Sequence, residues 1–210
     1  MLLGQSVLFG LSIVAFIAQS MSAALAAGRR SMDWMGVCLI GSITALGGGS
    51  VRDVLLGHYP LVWVKEPWVV LLTFGGAAAA IALARMIHRF RVPFLVLDAI
   101  GLVVFTIAGC EVALEMKQPL AIVILSGMIT GCVGGVLRDV LCNEVPLLLR
   151  SELYASVSVV TGLVYLMGLR SGLNPDVVVA LTFVVGMTFR LLAIRFRWEM
   201  PKFVYTRDEP

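Results

Sequence analysis

One short stretch, Gly47 to Gly57, constrains this chain most because it combines consecutive glycines with ionisable side chains inside an apolar segment. It reads GGGSVRDVLLG, with Arg52 and Asp53 adjacent. A glycine inside a helix costs about 1 kcal/mol relative to alanine, and an ionisable group at membrane depth costs about 2.5 to 3.5 kcal/mol. So costly an arrangement indicates a packing or functional site.

The same arrangement occurs again 86 residues further along the chain. There, Gly134 to Leu141 reads GGVLRDVL, so Arg138 and Asp139 match the first Arg–Asp pair. Other positions that align at this offset are Gly41 with Gly127, Ala45 with Gly131, Gly48 with Gly134, Gly49 with Gly135, Pro60 with Pro146, and Glu66 with Glu152. Recurrence at a fixed spacing indicates an internal duplication built around a site.

The composition indicates a membrane protein. Of the 210 residues, 60% are hydrophobic and 14% are charged, and the mean hydropathy is +0.98. Soluble domains are only about 45 to 50% apolar. The length suffices for about seven spans of roughly 20 residues, so we expect a single membrane domain over residues 1–210. The net charge of +3 is small and gives no support for nucleic-acid binding.

Seven apolar segments are long enough to cross a membrane as helices. They lack the alternation of barrel strands, and lipid requires every backbone group to be satisfied internally. We therefore predict an all-α integral membrane protein with seven transmembrane helices. Numbered in chain order, the predicted spans are Gln5 to Ala27, Asp33 to Leu56, Pro67 to Ile87, Pro93 to Leu114, Pro119 to Cys142, Glu152 to Leu169, and Pro175 to Ile194.

The basic residues predict an orientation. Apart from the motif arginines, eleven Lys and Arg residues lie in the last turns of odd-numbered spans or after them, and only Lys65, Lys117 and Arg170 lie after even-numbered ones. Because basic residues stay on the cytoplasmic side, we expect a cell (inner or plasma) membrane protein with the amino terminus outside and a cytoplasmic tail over residues 197–210. Arg190 is expected to reach the interface from a helix end.

Spans 2 and 5, which carry the motifs, are three crossings apart and must run in opposite directions. This predicts two inverted three-helix repeats, about residues 5–87 and 93–169, followed by a seventh helix at about residues 175–196. We expect the contiguous glycines to break both motif helices, because glycine favours kinks and irregular backbone is tolerated where it lines a cavity. In inverted-repeat proteins such helices meet near the membrane midplane.

Two interpretations of the motif residues stay open at this point. Small residues at every fourth position, as in Gly41, Ala45 and Gly49, could simply allow close helix packing. Arg52 and Asp53 are adjacent and do not face each other along a helix, so each needs another partner, such as the matching pair. The four charges then form either a structural cluster between the repeats or the wall of an aqueous path.

Other polar residues give weaker signals. Asp98 could favour a helix amino terminus, and Glu111 lies near the outer end of span 4 as a solvated or cation-attracting position. No spacing of His, Cys or carboxylates resembles a metal site, and the four cysteines are expected to be buried thiols. Ser50 lacks a positioned base, so no catalytic residue and no cofactor is predicted.

The motifs GGGSVRD and GGVLRD, on spans 2 and 5 of a duplicated chain, resemble those of prokaryotic members of the trimeric intracellular cation (TRIC) channel family. Bacterial relatives of that family have also been described as glycine transporters. The resemblance covers roughly residues 5–196 and includes RRSMDWMG and FLVLDAIGLVVFTIAG. It implies a homotrimer in which each subunit passes monovalent cations such as potassium between helices 2 and 5. One departure is that no acid matches Asp98 in the first repeat: its counterpart is Ser12 by the 86-residue offset, or Phe9 if Phe16 is matched to Phe105.

The resemblance assigns the ion path to the two motifs, with membrane lipids as the other partners. The expected lining residues are Gly47, Gly48, Gly49, Ser50, Arg52, Asp53, Gly131, Gly134, Gly135, Arg138 and Asp139. Lys65, Asp98 and Glu111 are expected at a mouth or in accessory positions. The alternative is a secondary transporter for a small solute such as glycine, because channel and carrier share the inverted-repeat logic. A membrane enzyme is the third hypothesis.

Overall fold

The computed structural model describes residues 5–84, 91–150 and 153–198, and all regular structure within these ranges is helical. A short 3-10 turn, Gly28–Arg30, follows the first helix. The helices are α1 (Gln5–Ala27), α2 (Trp34–Leu56), α3 (Val62–Lys65), α4 (Trp68–Ala84), α5 (Arg91–Glu115), α6 (Leu120–Leu141), α7 (Leu147–Arg150), α8 (Tyr154–Arg170) and α9 (Pro175–Phe196).

Seven of these helices, all except α3 and α7, coincide with the predicted spans to within a few residues. Helices α1, α2, α5, α6 and α9 have 22 to 25 residues and are apolar enough to cross a membrane. Helices α4 and α8 have 17 residues each, at the lower end of the spanning range of about 17 to 25. The predicted ends at Ile87 and Glu152 lie outside the described residues. Helices α3 and α7 are too short to produce a periodic sequence signal.

Local sequence accounts for several helix ends. The Asp33 carboxylate accepts a hydrogen bond from the Gly36 N–H at 2.6 Å and caps the start of α2. Gly57 ends α2 in a left-handed conformation with φ of 69°. At the start of α9, the Asn174 side chain accepts from the Asp176 N–H at 2.9 Å.

The centre of the molecule is built from α1, α2, α5 and α6, with α4 packed on α1 and α2 and with α8 and α9 packed on the α5 side. Small side chains fill this centre: Ala15, Ala23 and Ala99 are fully buried. In lipid such residues let helices approach closely and gain dispersion contacts.

Helices α2 and α6 cross at their glycines. A Cβ atom built on Gly48 would lie 2.2 Å from the carbonyl oxygen of Thr130, and one on Gly134 would lie 2.3 Å from that of Thr44. These separations leave no room for a side chain, so the two backbones are in contact. Because Thr44 lies beside Gly134 and Gly48 lies beside Thr130, the two helices run antiparallel at this crossing. The 86-residue offset matches Thr44 with Thr130 and Gly48 with Gly134, so each of these two contacts is the counterpart of the other.

The predicted breaks in these two helices are absent. Helix α2 is continuous from Trp34 to Leu56, and α6 is continuous from Leu120 to Leu141. An opened helix in lipid loses backbone hydrogen bonds that no water replaces. That loss outweighs the cost of about 1 kcal/mol for each glycine in a helix, so the glycines provide close packing inside intact helices.

Candidate functional site

A cavity of about 610 Å³ lies beside the first motif. Gly49, Ser50 and Arg52 of α2 line it, and Lys65 lines it from the end of α3. The indole N–H of Trp63 donates to the Ser50 hydroxyl at 3.1 Å, which connects α3 to the motif helix. Aromatic side chains make much of the wall apolar; they are Phe9, Phe16, Trp63, Trp68 and Phe105.

Arg52 pairs with its sequence neighbour, so the prediction that each charge needs a partner from elsewhere was wrong for this pair. Its Nε and Nη2 donate to Asp53 Oδ1 at 2.9 and 2.7 Å. The arginine side chain is long enough to fold back along the helix, which Cβ directions alone do not reveal. The Nδ1 atom of His58 also lies 2.9 Å from Asp53 Oδ1. His58 reaches this site because Gly57 turns the chain back at the end of α2.

Arg138 is completely enclosed by protein. Its Nε donates to Asp139 at 2.8 Å, and its Nη1 donates to Asp98 at 2.5 Å and to the Ser22 hydroxyl at 3.0 Å. Its guanidinium also lies 4.7 Å from the centre of the Phe94 ring. The predicted pairing between the two motifs is therefore wrong here too, because the second carboxylate comes from α5 of the same half.

Asp98 occupies neither a cavity mouth nor a helix amino terminus. It lies two turns inside α5 and is fully buried. Asp139 accepts the Leu147 backbone N–H at 2.8 Å through Oδ2, which joins α6 to α7. Glu111 accepts a hydrogen bond from the Tyr165 hydroxyl and does not line the cavity.

The remaining predicted glycines lie at helix contacts. A Cβ atom on Gly47 would lie 2.5 Å from Leu137 Cδ1, and one on Gly131 would lie 2.5 Å from the Thr106 hydroxyl on α5. Gly135 has the Tyr154 hydroxyl 3.1 Å from its Cβ position. Thus Gly49, Ser50, Arg52 and Lys65 share the cavity, while Asp53 and the second-motif residues lie in packed surroundings.

Sequence reasoning missed several buried polar residues. Gln19, Ser22 and Arg190 are fully buried, and Tyr154 is 2% exposed. Arg190 was expected to reach the interface, but its guanidinium lies 4.7 Å from the centre of the Tyr154 ring inside the protein. A signal was available for Gln19, since an amide in the middle of an apolar span requires a polar environment.

Residues near Arg138 can be compared with residues that line the cavity, because the 86-residue offset relates their positions in the sequence. Several of the residues around Arg138 belong to a buried polar group, and five positions of this group match residues that line the cavity. The matching pairs are Arg138 with Arg52, Asp98 with Ser12, Ser22 with Ala108, Gln19 with Phe105, and Tyr154 with Trp68. Equivalent positions are therefore filled by polar side chains beside the second motif and border a cavity beside the first.

The described residues contain no group of three or more His, Cys, Asp or Glu side chains arranged to hold a metal ion. All four cysteines are buried free thiols, as predicted. The chemistry that this site offers is fixed charge, hydrogen bonding and an apolar surface.

Comparison with known proteins gives two kinds of match. A family model described as glycine transporter matches residues 9–85 and again residues 95–170. A UPF0126 membrane protein of Vibrio cholerae is 37% identical, over 95% of this chain and 82% of the relative. The UPF0126 inner membrane protein YadS of Escherichia coli K12 is 36% identical, over 93% of this chain and 95% of the relative.

Among solved structures, the chain is similar to the TRIC trimeric intracellular cation channel orthologue from Rhodobacter sphaeroides. The TM-score is 0.87 at 31% sequence identity, covering 91% of this chain and 99% of that one. The two structures match over nearly the full length of both chains, so the similarity applies to the whole arrangement of helices and not to a single motif.

Proposed function

Because this chain belongs to the prokaryotic TRIC channel family, whose sequence model carries the description glycine transporter, we propose that it is a potassium-type channel for monovalent cations. It is a multi-pass membrane protein and not an enzyme. The observation that carries the proposal is the cavity beside the first motif, bounded by α2 on one side and by α1 and α5 on others.

In this proposal each subunit has its own path, which follows α2 and α6 and passes beside their contact at Gly48 and Gly134. The cavity forms the first part, where Arg52 is offset by Asp53 and where Lys65 and Glu66 add one charge of each sign. Beyond the glycine crossing, the Asp98–Arg138 pair blocks the second part. Conduction therefore requires this pair to separate or move, since a buried ion pair leaves no room for a hydrated cation.

We propose further that the seven long helices all span the membrane as two inverted three-helix repeats plus α9, and that three subunits assemble. Support for the inverted repeats comes from the reciprocal contacts at the α2–α6 crossing and from the double match of one family model. The names of the relatives support a trimer in the inner membrane. The distribution of basic residues supports an amino terminus outside the cell.

A secondary transporter for a small solute such as glycine is the second candidate. The description of the family model favours it, and so does the difference between a cavity beside the first motif and a filled site beside the second. Inverted-repeat carriers alternate between two such arrangements.

The deciding experiment compares purified protein in planar bilayers with the same preparation in vesicles. A channel gives discrete unitary openings in potassium chloride, whereas a carrier gives saturable, ion-coupled uptake of labelled glycine. Protein-free bilayers and vesicles are the controls. Uptake without unitary openings would replace the channel proposal with the carrier.

A further inference from the structure

The two motif arginines differ in what surrounds their outer nitrogen atoms. Arg138 Nη1 donates to Asp98 and Ser22 at 2.5 and 3.0 Å. The residues that match Asp98 and Ser22 at the 86-residue offset are Ser12 of α1 and Ala108 of α5, and both line the cavity. Arg52 uses Nε and Nη2 for Asp53, and its Nη1 has no protein acceptor within the described ranges. An arginine with one carboxylate partner therefore borders a cavity where its counterpart has two.

We propose that this cavity binds a small carboxylate with an apolar body. Its carboxylate group takes the position beside Arg52 that the Asp98 carboxylate takes beside Arg138. Charge-assisted hydrogen bonds between guanidinium and carboxylate are among the strongest available to a protein. With the ligand bound, Arg52 has the same two carboxylate partners as Arg138, and so the second half serves as an internal template for the site.

The apolar body follows from the other differences between the halves. Phe105 and Trp68 line the cavity at the positions that match Gln19 and Tyr154 beside the second motif, so the wall offers hydrocarbon contacts in place of polar ones. Glu66 also lines the cavity, but its carboxylate accepts the Trp68 indole N–H at 2.9 Å. Each additional buried CH₂ group on the ligand is expected to tighten binding about fourfold.

The ligand test uses hexanoate, its uncharged isostere hexanamide, and glycine, which has a carboxylate without an apolar body. Binding is measured on protein in lipid nanodiscs through the emission of Trp63 and Trp68, in a Trp34→Phe, Trp198→Phe background. Empty nanodiscs correct for partitioning into lipid. Saturable hexanoate binding is expected, with hexanamide and glycine at least about tenfold weaker. Equal binding of hexanamide, or tighter binding of glycine, would overturn the proposal.

A variant that supplies the missing carboxylate gives the sharper test. Ser12→Asp places an acid where Asp98 stands in the other half and is expected to weaken hexanoate binding at least about tenfold. Ser171→Asp, the same change at an exposed position just after α8, is the matched control and should keep the affinity. If Ser12→Asp does not fold, Arg52→Gln should show the same loss while Arg170→Gln, at the exposed end of α8, keeps wild-type binding.

Folded Ser12→Asp and Arg52→Gln proteins that bind hexanoate like the wild type would refute the site. The measurement requires no current, so it can fail while the channel proposal stands, and the channel proposal can fail while binding persists.

Discussion

The matching arginines of the two motifs, Arg52 and Arg138, are the same residue type in different surroundings. Arg138 is fully buried with two carboxylates and one hydroxyl around it, while Arg52 has one carboxylate and borders a cavity. Removing one member of a buried ion pair leaves an uncompensated charge in a medium of low polarity. The cost of losing each arginine therefore depends on how many carboxylates it leaves behind.

We predict that Arg138→Gln lowers the free energy of unfolding by about 3 to 5 kcal/mol because it leaves Asp98 and Asp139 without their cation. Arg52→Gln should cost less, about 1 to 3 kcal/mol, because Gln retains a donor and His58 still contacts Asp53. Reversible unfolding of the purified variants in detergent would measure both values. Equal losses would show that the number of carboxylate partners does not determine the cost of losing each arginine.

We also predict that Arg52→Gln changes the unitary current while the protein stays folded. A fixed charge beside a narrow, weakly polar passage alters the energy barrier for a permeating cation. Single-channel recordings in symmetric potassium chloride would compare it with Arg170→Gln, whose exposed arginine lies at the end of α8. If both variants conduct like the wild type, the path does not pass Arg52.

At the scale of helices, the α2–α6 crossing is the contact that least tolerates a larger side chain. Its backbones touch at Gly48 and Gly134, where any Cβ atom would overlap a carbonyl oxygen. A carbonyl cannot rotate away inside an intact helix, so the helices themselves would have to separate. The crossing thus holds the two halves at a fixed distance.

Gly48→Ala and Gly134→Ala are each predicted to destabilise the protein by about 1 to 3 kcal/mol, the usual cost of overpacking. Gly75→Ala is the matched control, because nothing lies within 4 Å of its Cβ position in α4. The control should gain up to about 1 kcal/mol from helix propensity. Thermal unfolding would rank the three variants, and a neutral Gly48→Ala would show that the crossing is looser than described.

The molecule as a whole combines two halves of similar sequence whose motifs have different surroundings. The cavity lies beside the first motif, and the matching place beside the second motif is filled by polar side chains. Ser12 stands where the matching position has an acid, and Ala108 stands where it has a serine, so the cavity lacks two of the polar groups that surround Arg138. The asymmetry is therefore encoded in the chain.

The proposed orientation predicts that a carboxyl-terminal reporter is active in the cytoplasm and that Lys65 reacts with an impermeant reagent added outside. Lys65 lies in the exposed part of α3. The comparison on the proposed cytoplasmic side is Gly28. A cysteine placed there should react with an impermeant thiol reagent only after the cell is opened. Labelling of that cysteine from outside intact cells would reverse the assignment.

Assembly gives a separate prediction for the whole molecule. Light scattering of detergent-solubilised protein, corrected for bound detergent, should give three times the subunit mass of 22.6 kDa. Exposed apolar side chains such as Leu71 and Met167 provide surface for lipid or for neighbouring subunits. A monomer that conducts ions would remove the assembly proposal and leave the path proposal in place.

The sequence by itself determined the helical segments and the recurrence of the motif, because the length of an apolar segment and a repeat at fixed spacing can both be read from the order of the residues. It also singled out Arg52, Arg138 and the glycines, since their cost in lipid is local. Only the tertiary structure decided which partner each charge has: Asp98 meets Arg138 across 40 residues of chain. It likewise decided that the glycine helices stay continuous and that the cavity lies beside the first motif. These outcomes depend on distances between helices, which no single segment of the chain specifies.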